Sequence, residues 1–156
     1  MIKKIILWML VISCATAIFL FSAQKADDSG RASEGFTYKI IKFFDFNDKI
    51  PDESAMEFAI SVNGIVRKIA HFSIYALLGF LIAQLLNEYG RGYRKILMFS
   101  VMFSSLYACT DEIHQYFVPG RSAQITDVIL DTFGALFGSL IAIGIIALIK
   151  NRKASK

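Results

Sequence analysis

The sequence predicts an all-α integral membrane protein, a four-helix bundle with a long extracytoplasmic loop carrying one or two short interfacial helices. Three observations predict it. Of 156 residues, 55% are hydrophobic and only 19% are charged, below the quarter usual in soluble domains. Four apolar runs reach or approach the roughly 20 residues that cross a hydrocarbon core. Lys and Arg sit between those runs, not along one soluble face, so a net charge of +4 does not point to nucleic acid. With 14 Phe against 2 Pro and 10 Gly, the chain is neither collagen-like nor disordered.

The first span covers 5–23 and carries no charge from Ile5 to Ala23. Val11-Ile12-Ser13-Cys14 offers a competing reading, a lipoprotein processing site behind a cleaved signal peptide. The apolar run continues past it through Ile18-Phe19-Leu20-Phe21, where a mature lipoprotein turns polar, so a retained span is the simpler reading. The outer loop, 24–66, follows. In it Phe36, Ile40 and Phe43 or Phe44 recur at helical spacing with Lys39 and Lys42 between them, the pattern of a helix lying along a membrane surface. Pro51-Asp52-Glu53 opens a further helix, with Pro early and acids in the first turn. A break is expected near Asn63-Gly64. The second span, 69–87, lies between Lys68 and Glu88. The third, 96–117, takes Asp111, Glu112, His114 and Gln115 into its far end, and the fourth, 127–149, carries Asp127 and Asp131. No repeat or second domain interrupts 1–156.

Orientation follows from the short basic flanks. Lys3 and Lys4, then Arg91, Arg94 and Lys95, then Lys150, Arg152, Lys153 and Lys156 fall on one side of four crossings. That side is cytoplasmic by the positive-inside rule, so both termini are cytoplasmic, and loop 24–66 and the short loop around Arg121 lie outside. Cys14 and Cys109 both fall within spans and read as packing residues, since two cysteines make neither a disulfide framework nor a metal knuckle.

The intramembrane polar residues collect at the outer end. Arg67, His71 and Tyr75 recur every fourth residue and line one helix face, which Asn63 extends. Asp111, His114 and Gln115 share a face of the third span, with Glu112 turned about 100° away. Asp127 and Asp131 are one turn apart, and Arg121 follows Pro119-Gly120. Charges at depth are costly and usually face protein or water, which marks them as functional candidates. Bland readings stand beside these: Asp127 as a helix cap, Lys68 as a snorkelling anchor, His71 as a hydrogen-bonded packing residue. Asp111, Glu112, Asp127 and Asp131 face Arg67, Lys68 and Arg121, so mutual pairing nearly neutralises the cluster and a divalent ion is optional. Neither a metal nor a cofactor is assigned. Gly134 and Gly138, continued by Ala142, form a small-residue stripe read as ordinary close helix packing, with Gly79 in a similar part.

These residues resemble the VanZ-like membrane proteins. The resemblance rests on Arg67-Lys68-Ile69-Ala70-His71-Phe72 with Tyr75 and Gly79, and on Asp111-Glu112-Ile113-His114-Gln115-Tyr116-Phe117 with Pro119 and Arg121. Asp127, Asp131 and Gly134 continue it, and Phe21-Ser22-Ala23-Gln24 is similar to the family's N-terminal element. The resemblance implies a small multispan protein of the bacterial cytoplasmic membrane, in a family whose namesake lowers susceptibility to teicoplanin.

Two functions follow. In the first, the site binds or shields an anionic lipid or a lipid-linked cell-wall precursor and so changes what a glycopeptide reaches. Arg67, Tyr75, Glu112, Gln115, Arg121 and Asp127 are the ligand-binding candidates. In the alternative, a membrane-embedded hydrolase or transferase works on such a substrate. His71 or His114 then exchanges protons beside Asp111 or Asp131, these four being the catalytic candidates. Membrane lipids are the expected partners, nucleic acid is not, and oligomeric state is open. Reporter fusions at Pro119 are expected to read as extracytoplasmic and fusions after Lys150 as cytoplasmic; the reverse pattern overturns the orientation.

Overall fold

The structure, a computed structural model, describes residues 1–45 and 49–154; Lys156, counted above among the basic residues, lies outside them. Among the described residues there are five helices: α1 (Ile2–Ser22), α2 (Ala26–Phe44), α3 (Asp52–Glu88), α4 (Tyr93–Tyr116) and α5 (Ile125–Ala154). Among the described residues there is no strand. α1, α3, α4 and α5 are long and apolar enough to cross a membrane.

Local chemistry sets the ends. Asp27 and Asp28 open α2 and Lys42 closes it, each favourable to the helix dipole. α3 stops at Gly90, whose φ of 67° only glycine adopts cheaply. The Gly90 N–H reaches the Asn87 carbonyl at 2.9 Å and the Arg91 N–H the Leu86 carbonyl at 3.4 Å, a Schellman closure. Gly120, at φ 79°, turns the chain between α4 and α5.

The outer segment differs from its expected form. α3 has no break at Asn63-Gly64 and runs unbroken for 37 residues. An isolated glycine costs a helix only about 1 kcal/mol, and Asn63 is gripped by the neighbouring helix. It accepts a hydrogen bond from Ser33 and donates one to Glu34 at 2.7 Å. At 1.5 Å per residue α3 is about 55 Å long, well beyond a core of about 30 Å. α2, with 19 residues, is longer than the short helix expected, and it packs along this extension. Gly30 and Thr37 of α2, and Ala55 and Ala59 of α3, are buried. Lys42 fastens the far end, 3.0 Å from Asp52 and donating to the Ile50 carbonyl at 2.9 Å.

Contacts at the opposite end bring the basic segments together. Lys3 pairs with Glu88, Lys4 lies over the Tyr89 ring at 4.4 Å, and Lys150 lies over the Tyr93 ring at 5.2 Å. The chain therefore alternates direction through α1, α3, α4 and α5, with one basic end and one end capped by α2.

The packing is inverted relative to a water-soluble domain. Ser100, Ser104, Ala108, Ala135, Ser139 and Ala142 have no exposed surface, whereas Leu20, Phe103, Leu106, Phe133 and Phe137 are roughly half exposed or more. Small groups inside and large apolar groups outside are what lipid solvent favours. Ser100 donates to Ser139 at 2.9 Å and Thr132 to Ser105 at 3.1 Å, joining α4 to α5. The Tyr107 hydroxyl donates to the Ala15 carbonyl at 2.7 Å, joining α4 to α1. The tightest approach is between α3 and α5. A Cβ on Gly138 would overlap the Ala76 carbonyl oxygen, one on Gly134 that of Phe72, and one on Gly79 that of Ala135.

Gly138→Val is therefore expected to destabilise the bundle by about 1–3 kcal/mol or more, while Gly144→Ala, with nothing near its Cβ, is tolerated; thermal unfolding in detergent compares them. Asp45 yields a pH prediction. Its carboxylate accepts the Ile50 N–H at 2.8 Å and the Lys49 N–H at 3.0 Å. The Ile50 bond foremost, then Lys49 and Lys42, hold its carboxyl below the ordinary range against the opposing effect of desolvation. Stability from a depressed carboxyl is present above the ordinary value and is lost as pH falls through the folded one. Amide protection at Lys49 and Ile50 is expected to persist through the ordinary carboxylate range and to be lost only as pH falls below it, and Asp45→Asn to abolish that pH dependence in hydrogen exchange.

Candidate functional site

The row Arg67, His71, Tyr75 lies on α3 where it leaves the α2 hairpin and enters the bundle. Below it the α3 and α5 backbones touch, and this close approach sets Asp131 of α5 against His71. His71 Nδ1 is 3.8 Å from Asp131 Oδ2. Asp131 is wholly buried, and neither of its oxygens has a hydrogen-bond partner. A lone buried carboxylate is expensive, and the His71 imidazole is the polar group placed against it. Tyr75, one turn further in, is also wholly buried with its hydroxyl unpartnered, its ring 6.5 Å from that of Tyr107.

α4 supplies the next layer. Asp111 accepts a hydrogen bond from Gln115 at 3.1 Å, one turn along, and both are buried. Glu112 points elsewhere, as its angular offset requires, and accepts the Gln124 backbone N–H at 2.9 Å. That bond fastens the loop entering α5. Asp127 is in the first turn of α5 and is not its cap; its oxygen lies 3.8 Å from Lys68 Nζ. Lys68 thus has a partner across the helix interface besides any anchoring part.

His114 separates from this group. Its ring stacks on Phe19 of α1 with centroids 4.6 Å apart, and it lines neither of the cavities described next. The two histidines expected as alternatives for one task therefore occupy different places. Ser22, the hydroxyl nearest by topology, is buried with its oxygen unpartnered.

Two cavities meet at Arg67 and His71, which line both. The larger, ≈ 460 Å³, lies between α1, α2 and α3, within the size range of ligand pockets. Ile18, Phe21, Phe36, Val66, Ile69 and Ile74 give it an apolar wall, and Arg67, His71 and Arg121 give it a polar rim. No carboxylate lines it. The smaller, ≈ 150 Å³, is polar and is lined by Lys68, Gln115, Gln124 and Asp127 besides the shared pair. Sequence reasoning misses the walls of the larger cavity, because Ile18, Phe21 and Phe36 carry no signal beyond membrane apolarity. It also misses Gln124, which acts through its backbone.

Unpartnered polar atoms occur on both signs of charge: Glu112 Oε1, Asp127 Oδ1 and both Asp131 oxygens among the acids, and Arg121 among the cations. Arg121 reaches the Phe21 carbonyl at 3.5 Å through Nη2, while its Nε and Nη1 are buried without partners. Burial, and then the neighbouring Arg67 charge, hold its guanidinium below the ordinary value, though an arginine stays cationic. Among the described residues neither Arg67 nor Arg121 is in an ion pair. Two guanidiniums therefore stand at an apolar-walled cavity, and the guanidinium fork is matched in shape to phosphate and carboxylate groups. Among the described residues no three His, Cys, Asp or Glu side chains gather to hold a metal ion.

A family model described as VanZ/LLP1 matches residues 7–149, nearly the whole chain, and the chain belongs to that family. No curated protein and no solved structure matches it.

Proposed function

We propose that this member of the VanZ/LLP1 family is a single-domain, multi-pass protein of the bacterial cytoplasmic membrane, with both termini in the cytoplasm. Its outward site binds an anionic lipid or a lipid-linked cell-wall precursor, and by shielding it lowers susceptibility to glycopeptides such as teicoplanin. One observation carries the reading: Arg67 and Arg121 stand without carboxylate partners at the rim of an apolar-walled cavity. The tail of the ligand occupies the space between α1, α2 and α3, and its anionic group lies at the guanidiniums. Tyr75, Glu112, Gln115 and Asp127 shape and brace the polar side. The exposed Phe36, Ile40, Phe43 and Phe44 of α2 lie at the outer membrane surface, where the lipid enters. The basic end, with Trp8, Tyr89 and Tyr93 beside its lysines, suits the cytoplasmic headgroup layer.

A second reading, a membrane-embedded hydrolase or transferase, is favoured by the His71–Asp131 pair at the junction of the two cavities. Asp111 and His114 then play supporting parts away from the cavity walls.

Charge-assisted hydrogen bonds contribute about 1.5–3 kcal/mol each, so Arg67→Gln and Arg121→Gln are each expected to weaken binding of phosphatidylglycerol roughly tenfold or more. Titration of the detergent-purified chain with that lipid, and with phosphatidylcholine as the zwitterionic reference, measures this. Equal affinity for the two lipids, or no change in either variant, removes the reading.

A further inference from the structure

We propose that the site hydrolyses a lipid diphosphate through a phosphohistidine formed at His71. The proposal rests on the anionic-lipid reading above and adds chemistry to it. Nδ1 of His71 faces a carboxylate that is wholly buried and has no other partner. A carboxylate 3.8 Å from Nδ1 favours the tautomer with the proton on Nδ1 and the lone pair on Nε2, at the opposite edge of the ring. That ring lines both cavities, so a group held at their junction meets an oriented nitrogen nucleophile. Among the described residues no hydroxyl is hydrogen-bonded to His71, so the imidazole itself is the nucleophile and not the base for a serine.

The charge pattern selects the substrate class. Arg67, which lines both cavities, and Arg121, which lines the larger, are in no ion pair among the described residues and offer one guanidinium for each phosphoryl group of a diphosphate monoester. The apolar cavity takes the chain attached to it. The leaving group also matters. An alcohol leaving a phosphate monoester needs a proton, yet Asp127, the one carboxylate among the described residues that line either cavity, is 3.8 Å from Lys68 and occupied by it. A lipid monophosphate leaves as an anion and needs no such donor, so a diphosphate is the form this site can cleave.

The step balances. Nε2 attacks the terminal phosphorus; an N–P bond forms and the bridging P–O bond breaks, its electron pair leaving on the lipid monophosphate. Water then attacks the phosphorus, the N–P bond breaks and its pair returns to Nε2. Inorganic phosphate leaves, and a proton of the water goes to solvent. The guanidiniums stabilise charge on the phosphoryl oxygens throughout, the main contribution a protein makes to phosphoryl transfer.

The test uses the full chain in detergent micelles with EDTA and farnesyl diphosphate as the probe. Phosphate release is expected, together with an acid-labile, alkali-stable phosphate label on His71 at early times when the terminal phosphate is radioactive. His71→Gln is expected to lower release by about a hundredfold or more while still binding the probe. Asp131→Asn, a positioning change, is expected to lower kcat with KM unchanged. Farnesyl monophosphate is expected to bind without losing phosphate, and p-nitrophenyl phosphate to give no turnover. Binding of farnesyl diphosphate with no phosphate release, or release without any label on the wild-type His71, overturns the inference and leaves the binding reading standing. Failure to bind farnesyl diphosphate while phosphatidylglycerol still binds overturns the inference alone; failure to bind either ends both. Turnover of p-nitrophenyl phosphate at the same rate overturns the lipid assignment.

Discussion

At Gly79, Gly134 and Gly138 no side chain stands between α3 and α5, so the peptide groups of one helix lie directly against those of the other. This close approach is the constraint from which the site follows. Gly134 presses on the Phe72 carbonyl, the next residue after His71, and lies three residues after Asp131. The glycines thus fix the distance between the histidine and its buried carboxylate as well as the helix crossing. Without the direct backbone contact, Asp131 would stand off from α3 and from the His71 imidazole. In hydrocarbon, where apolar side chains gain nothing by leaving the solvent for each other, such close packing is the main attraction available.

The same solvent explains why acids and bases are handled differently. Asp111 and Glu112 accept an amide and a backbone N–H, and Asp127 and Asp131 each lie 3.8 Å from a basic side chain. Among the described residues Arg67 and Arg121 pair with no carboxylate, and Arg121 reaches the Phe21 carbonyl. A bundle held together only by internal ion pairs would have used its guanidiniums on the carboxylates beside them. Here the acids brace the walls, and the cations stay turned toward the cavity.

Much of this is legible in the sequence, and the part that is not has a clear cause. Span ends and helical period fix how deep a residue lies and which way it faces on its own helix. They therefore place Arg67, His71, Asp111, Asp127 and Asp131 at one end of the bundle. They do not fix which neighbouring helix a face meets. For that reason His114 goes to Phe19 of α1 and not to the cavities, and the walls of the larger cavity carry no signal. The continuity of α3 through Asn63-Gly64 is hidden too. Local propensity marks that pair as a weak point, but hydrogen bonds from Ser33 and to Glu34, about thirty residues earlier in the chain, hold it helical.

Toward the basic end Ala83, Ile96 and Ala142 pack together, all without exposed surface. Those three residues put an apolar layer between the buried acids Asp111, Glu112 and Asp131 and the basic segments at the other end, so a charge buried on one side of the bundle is insulated from the headgroup cations of the other.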